Sequence, residues 1–343
     1  MEFPFSSRRR IPSLTLVLLV FILIFAIQTK RRKMANKSSR SDGITPPLSL
    51  SLSGASRRHD ILKIQVASDL HIEFYREFSR IPEDIIVPNA PILALVGDIG
   101  LAKTDILKQF LYYQTQRFEH VLYLAGNHEF YNPRQGRTQH TVSEQMEWLR
   151  EICQEKSNLH FLERSVVDIQ GVVILGTTLW SHVPTSKASL AERSMNDYHL
   201  SFVEKDKTMG VEDTNREFDM DILWLQRHIE YITKEHGKKR PIVVLTHHTP
   251  SMEGTSNPVY DHSDLSVCFS TDLVRLLQPP IKAWVSGHTH WNFDISFPST
   301  KDGDDDNEEE TTRLVSNQRG YPAKKCMDYD NEGVILTIPI PVP

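Results

Sequence analysis

Cysteine is scarce: there are three in 343 residues, Cys153, Cys268 and Cys326. Three thiols cannot build a disulfide framework, and none of them forms a C-x-x-C pair that could hold an ion or run redox chemistry. Free thiols of this kind suit a reducing compartment. Positive charge is also short where it would count. Residues 61–343 carry 28 basic against 41 acidic side chains, a net of −13. Such a body lacks the clustered Lys and Arg that nucleic-acid phosphates require, so no specific nucleic-acid binding is expected. Repeats at solenoid periods are absent. With 39% hydrophobic and 24% charged residues the composition is not that of a disordered chain. The length suffices for one large core or two modest ones.

The first sixty residues are different, with a net charge of +8. Residues 1–10 form a basic leader. Ile11 to Thr29 is a 19-residue run without a charge, roughly 28 Å long as a helix and close to a bilayer's hydrocarbon thickness. Arg8, Arg9 and Arg10 precede it; Lys30, Arg31, Arg32, Lys33, Lys37 and Arg40 follow. The expectation is a single-pass transmembrane anchor at 11–29, with a cleaved signal peptide and a soluble cytoplasmic chain starting at Met34 as alternatives. The downstream excess of basic residues favours a catalytic body in the cytoplasm. Residues 30–60 read as a basic, Ser-rich linker. Lys301 to Glu310 hold seven acids and one base and read as a solvated loop inserted between two strands of the 61–343 domain. Oligomeric state leaves no mark in the sequence.

The body alternates strand and helix signals. Buried-strand runs are Ile61–Ala67, Ile92–Val96, Val121–Ala125, Ile242–Thr246 and Ala283–Ser286, and Val166–Ile169 with Val172–Leu175 reads as a hairpin about Gly171. Helical periods cover Thr104–Phe118, Val142–Lys156 and Phe218–His236, while 181–216 and 249–270 read as irregular cover over a site. The pattern predicts an α/β fold, a sandwich of two mixed β-sheets flanked by helices, preceded by the single N-terminal apolar helix.

Five of those runs end in metal-ligand residue types. They are Ser68-Asp69-Leu70-His71, Gly97-Asp98, Gly126-Asn127-His128-Glu129, His247-His248 and Gly287-His288-Thr289-His290. Ligands placed where strands finish gather at one edge of a sheet. In D-x-H and H-x-H, extended backbone sends both side chains to the same side. Each piece alone is commonplace, but five in this order behind aliphatic strands are not explained by packing.

The order D-x-H, G-D, G-N-H-E, H, G-H-x-H resembles the calcineurin-like metallophosphoesterase superfamily over residues 62–340. The wording SDLHIEF, GNHEFY, TTLW, MNDY, THH and RGYP is similar to its small stand-alone members. The resemblance implies a phosphoric-ester hydrolase with two divalent ions. One would sit on Asp69, His71 and His290, the second on Asn127, His247 and His288, with Asp98 bridging. It further implies a metal-bridging hydroxide as nucleophile, and His128 as a general acid or transition-state stabiliser instead of a ligand. His248 could replace His247, since consecutive residues face opposite ways. Imidazole, carboxylate and amide suit Mn, Fe or Zn. The expected partner is a small phosphate ester or a phosphorylated substrate.

Departures from the pattern narrow the reading. Phosphoprotein phosphatases of the superfamily continue the second motif with an acid that partners the catalytic His, followed by a phosphate-gripping Arg; here Leu101 stands at the acid's position. Purple acid phosphatases place a Tyr at that offset, so an Fe(III)–phenolate centre is not expected either. Arg319 and Lys103 are the cationic candidates for phosphate contact, and Asp197 with His199 are candidates for a cap. The alternative is a membrane-tethered scaffold that binds metals without turnover, and the complete ligand set speaks against it.

Overall fold

The run Ile92–Val96 is a strand with all five side chains buried, as a segment covered on both faces requires. Residues 50–51, 61–132, 138–299 and 310–341 are described by the computed structural model. One mixed sheet joins β2 (Ile61–Ala67), β3 (Ile92–Val96), β4 (His120–Leu124), β5 (Leu159–Phe161) and β16 (Val334–Pro339) in the order β16-β2-β3-β4-β5. Only β16 runs antiparallel to its neighbour there. The second sheet joins β1 (Leu50–Ser51), β6 (Ser165–Ile169), β7 (Val172–Gly176), β10 (Ile242–Leu245), β11 (Ile281–Val285), β12 (Asp294–Pro298) and β13 (Thr311–Val315) in the order β1-β6-β7-β10-β11-β13-β12. Two short ribbons, β8–β9 (Phe202–Glu204, Lys207–Thr208) and β14–β15 (Gly320–Tyr321, Lys324–Lys325), stand apart.

Alternation along the strands divides the core. Ala94, Val96, Leu122 and Leu124 of the first sheet share one apolar cluster with Ile174, Val243, Leu245 and Ala283 of the second. Their neighbours Leu93, Leu95, Val121 and Tyr123 turn the other way. They join Leu107 and Phe110 of α1 (Asp105–Thr115) and Leu149 and Ile152 of α2 (Val142–Gln154). Each such aliphatic side chain contributes about 1.5–3 kcal/mol on burial. Two further helices, α3 (Thr185–Ser194) and α4 (Asp197–Leu200), lie in the stretch expected to be irregular. The last, α5 (Val211–His236), buries a stripe of Val211, Thr214, Phe218, Asp221, Leu225 and Ile232. It starts seven residues before the expected Phe218, because its first two turns are polar apart from that stripe.

Local signals set the ends. Thr104 caps α1 by accepting from the Leu107 N–H, and Thr141 with Glu144 forms a capping box on α2. Gln170 and Gly171 both have positive φ, the I′ geometry that closes the β6–β7 hairpin. The expected acidic insertion falls between β12 and β13, which pair antiparallel. Its residues 301–309, together with the leader 1–10, the apolar run 11–29 and the linker apart from Leu50 and Ser51, lie outside the described residues. Among the described residues no helix is long and apolar enough to cross a membrane.

One pH effect belongs to the fold alone. His160 on β5 is buried, with Nε2 3.3 Å from Nδ1 of His120 on β4. Burial, and after it the neighbouring His120, pushes its pKa down to about 4. The unfolded chain therefore binds more protons than the folded one between pH 6.5 and 4, and stability falls as pH drops through that window. His160→Phe should flatten this acid limb while leaving the pH 8 melting temperature within a few degrees. Parallel melting curves for parent and variant across pH 4–8 would remove the role given to His160.

Candidate metal centre

The parallel strands β2, β3 and β4 of one sheet and β10 and β11 of the other release the chain into the loops that carry the motif residues. Three glycines make the approach possible. A Cβ on Gly97 would collide with the His247 ring, one on Gly126 with the Asp98 carboxylate, and one on Gly287 would lie 2.6 Å from Asp69 Oδ2. No side chain fits there. The loops themselves turn sharply: Asp69 (φ 52°), His71 (49°), Asp98 (53°), His288 (72°) and His290 (51°) all have left-handed backbones, a region that glycine enters freely and Asp and His more readily than most other side chains, though still at a cost.

Asp69, His71 and His290 converge. Nε2 of His71 lies 2.9 Å from Nε2 of His290, which is 3.3 Å from Asp69 Oδ1. His71 Nδ1 donates to Glu73 Oε1 at 3.1 Å, so its Nε2 is free to face the cluster. Asp69 also accepts from Ser68 Oγ and from the His288 N–H.

The neighbouring group is built on His247. Its Nδ1 donates to the Val96 carbonyl at 2.9 Å, which turns Nε2 toward Asn127 Oδ1 at 3.0 Å and Asp98 Oδ1 at 3.3 Å. Asn127 cannot rotate its amide to help, because Nδ2 already donates to Tyr131 Oη and Asp197 Oδ1. His288 is buried with Nε2 lacking a hydrogen-bond partner, and so is His248. The His248 ring stacks on His288 with centroids 4.0 Å apart, and its Nδ1 pairs with Ser181 Oγ. Asp98 faces both groups, since Oδ2 lies 3.9 Å from His71 Nε2. The sets Asp69–His71–His290, Asp69–Asp98–His247 and His247–His248–His288 each bring their ligand atoms close enough to share one ion.

Electrostatics agree with a site built for cations. Burial alone would raise Asp98, but His247 and His128 hold its carboxyl well below the usual range. Burial would likewise raise Asp69, and His290 keeps it low. Burial and then His247 push His288 down to about 3, so that ring is neutral and one of its nitrogens has a lone pair to give. Nitrogen and oxygen ligand atoms crowd together here, with His71 Nε2 facing His290 Nε2 and His247 Nε2 facing two oxygens. Against burial, Asp98 raises the His247 pKa to about 10, so that a proton on its Nε2 holds the place a cation would take. Divalent ions fit that donor set, which has imidazole, carboxylate and amide in one place.

The motif residue outside the proposed ligand set, His128, stands beside the cluster with Nε2 3.9 Å from Asp98 Oδ2 and 3.2 Å from the Tyr321 hydroxyl. Its Nδ1 donates to Glu73 Oε1 at 2.9 Å, so the imidazole has a carboxylate partner although position 101 is Leu. Asp197 reaches the site through Asn127 and Tyr131, whereas the His199 ring pairs with the Arg193 carbonyl. Arg319 is buried, donating to the Leu70 carbonyl and Tyr75 Oη. Lys103 is half-buried near Glu144. Sequence reasoning missed Glu73, Glu129 and Tyr321 as site residues. The signals were there in SDLHIEF, GNHE and RGYP, which carry these three side chains.

Glu129 explains the end of the G-N-H-E motif. Its buried carboxylate accepts from the N–H groups of Asp98, Ile99 and Gly126 at 3.0, 2.8 and 2.7 Å, and from Tyr123 Oη at 3.2 Å. It thereby ties the loop after β3 to the loop after β4. Burial, helped by Asp98, raises its pKa to about 7. Glu129→Ala would orphan those donors, at about 1–3 kcal/mol each where water cannot reach them. Urea unfolding should show a loss of at least about 3 kcal/mol; a change below about 1 kcal/mol would mean the loops hold themselves.

Comparison with known proteins gives one family and two relatives of interest. The family model described as calcineurin-like phosphoesterase matches residues 62–292. An uncharacterized protein of Acanthamoeba polyphaga mimivirus is 29% identical over 250 residues, 66% of this chain and 84% of that protein. Among solved structures, the phosphopantetheinyl hydrolase PptH from Mycobacterium tuberculosis superposes with a TM-score of 0.53 at 19% identity, over 77% of this chain and 91% of that one. It is a likeness of fold.

Proposed function

Because the chain belongs to the calcineurin-like phosphoesterase family and is a hydrolase of phosphoric ester bonds, we propose that it works on small phosphate esters with two divalent ions held by Asp69, His71, Asp98, Asn127, His247, His288 and His290. The observation that carries this is the convergence of buried imidazole nitrogens and carboxylate and amide oxygens within ligand distance of one another. His247 Nε2 points at two oxygens, and His71 Nε2 points at His290 Nε2, around one shared carboxylate. We assign His247 in preference to His248, because its Nε2 is the one aimed at Asn127 and Asp98. Mn, Fe or Zn would supply Lewis acidity toward the phosphoryl oxygens and a hydroxide at neutral pH.

The chain's own residues do the rest. Asp98, negative and shared, fixes the separation of the two groups. Asp197 and Tyr131 hold the Asn127 amide so that only its oxygen faces inward. His128, with Nε2 between Asp98 Oδ2 and the Tyr321 hydroxyl, is the proton donor for a departing alkoxide.

The test is hydrolysis of p-nitrophenyl phosphate and bis-p-nitrophenyl phosphate after chelation and after return of Mn²⁺. Activity should vanish and come back. Turnover untouched by chelation would overturn the dinuclear reading, and two bound ions without hydrolysis of either ester would favour the scaffold. Residues 11–29 are proposed as a single-pass anchor with the enzyme facing the cytosol, supported by their apolar length and the basic excess after them. On sealed microsomes the body should be digested by added protease. Protection until detergent is added would place it in the lumen.

A further inference from the structure

Glu73 lies two residues after a ligand and takes no part in the ligand set. Its Oε1 nevertheless accepts from Nδ1 of His128 at 2.9 Å and from Nδ1 of His71 at 3.1 Å, in a side chain only 8% exposed. The short 3-10 turn Ile72–Phe74 that follows His71 puts it there. A carboxylate has no hydrogen to give, so both Nδ1 atoms carry one, and both rings turn Nε2 away from Glu73. For His71 that direction is the ligand cluster. For His128 it is the space bounded by Asp98 Oδ2 and the Tyr321 hydroxyl.

Other acidic groups near His128 are already engaged. Asp98 Oδ1 accepts from the His128 backbone N–H instead of the ring. Asp197 is held by Tyr131 and Asn127. Tyr131 packs its ring against the imidazole with centroids 4.4 Å apart and offers it no acceptor there. Among the described residues, Glu73 is the carboxylate within hydrogen-bond distance of the His128 ring.

We infer that Glu73 is the positioning residue of His128: it fixes the imidazole so that the transferable proton sits on Nε2, facing the ester. The inference rests on the phosphoesterase reading above. In the step it serves, a hydroxide oxygen forms the new P–O bond and the bond to the leaving oxygen breaks. The Nε2 proton of the imidazolium goes to that oxygen, leaving an alcohol, a phosphate product and a neutral ring with its hydrogen on Nδ1. Glu73 holds the same Nδ1 hydrogen before and after, so the ring need not turn over.

Glu73→Gln tests this, because an amide can present a donor to Nδ1 and so favour the tautomer with the wrong nitrogen protonated. The variant should keep two ions per chain. It should lose about 10²-fold in kcat on a methyl phosphate ester and far less on the p-nitrophenyl ester, whose leaving group needs no proton. Combined with His128→Ala it should cost nothing further, since both changes remove one function. A fully additive double variant, an equal deficit on both esters, or loss of ions would instead make Glu73 a support for His71 and overturn the inference. A second readout needs no turnover. In zinc-loaded protein, the imidazole proton spectrum should show two downfield Nδ1–H signals that Glu73→Gln removes, of which His128→Gln removes one. A His128 Nδ1–H signal unchanged by Glu73→Gln would also overturn it. If the parent hydrolyses neither ester, the phosphoesterase reading fails by itself, while these signals still show whether Glu73 orients the ring.

Discussion

Asp98→Asn should abolish turnover and strip the protein of ions, the largest effect expected from any single substitution here. The Asp98 carboxylate points one oxygen at His247 and the other toward His71 and His128, with distances of 3.3, 3.9 and 3.9 Å. It is buried and fully charged, because the surrounding imidazoles hold its pKa down. An amide keeps the shape and loses the charge, and it turns an N–H₂ toward groups that need an acceptor. Groups that merely orient metal ligands are worth about 10–100-fold in affinity or activity. A carboxylate shared by both proposed ion positions should exceed that, with activity below about 1% of the parent and fewer than two ions per chain by elemental analysis. An Asp98→Asn protein that keeps two ions and near-parent turnover would refute the bridging role.

His128→Ala should fall almost as far by a different route. The ring packs on His71 with centroids 4.4 Å apart but is not among the proposed ligands, so its removal should leave two ions per chain. What disappears is the proposed proton donor. Loss of such a group costs about 10²–10⁴-fold, and that deficit should appear in kcat on alkyl esters and shrink on p-nitrophenyl esters. An equal deficit on both would reassign His128 to stabilising charge on phosphorus. Loss of ions with the ring would make it a ligand.

Much of this centre could be read from the chain because strand ends and ligands coincide. Ile92–Val96 and Ile61–Ala67 are strands with the expected bounds, and the residues just after them are Asp98, Asp69 and His71. Short-range pattern carries that far. It does not carry to pairings made across the fold. Nothing near Asn127 in sequence announces that Asp197, 70 residues on, will hold its amide. Nor does a Leu at position 101 reveal that Glu73, 55 residues before His128, supplies the missing carboxylate. Arg319 looked available for phosphate only because its partners, the Leu70 carbonyl and Tyr75, lie 249 and 244 residues earlier in the chain. The early start of α5 has the same origin. Its first turns earn their place by docking Val211 and Thr214, which no local period shows.

The left-handed backbones at Asp69, His71, Asp98, His288 and His290 bear on how such a chain persists. Each costs roughly 1–2 kcal/mol relative to an ordinary conformation, so together they are comparable to the whole margin of a marginally stable domain, about 5–15 kcal/mol. Replacing any of them by glycine would relieve that strain, so for folding alone decay of this loop set runs downhill. Five left-handed positions gathered in the loops after the strands, outside any helix or strand, are therefore a burden that use can justify. A lineage released from the need for hydrolysis would be expected to shed them first, well before its aliphatic strands began to erode.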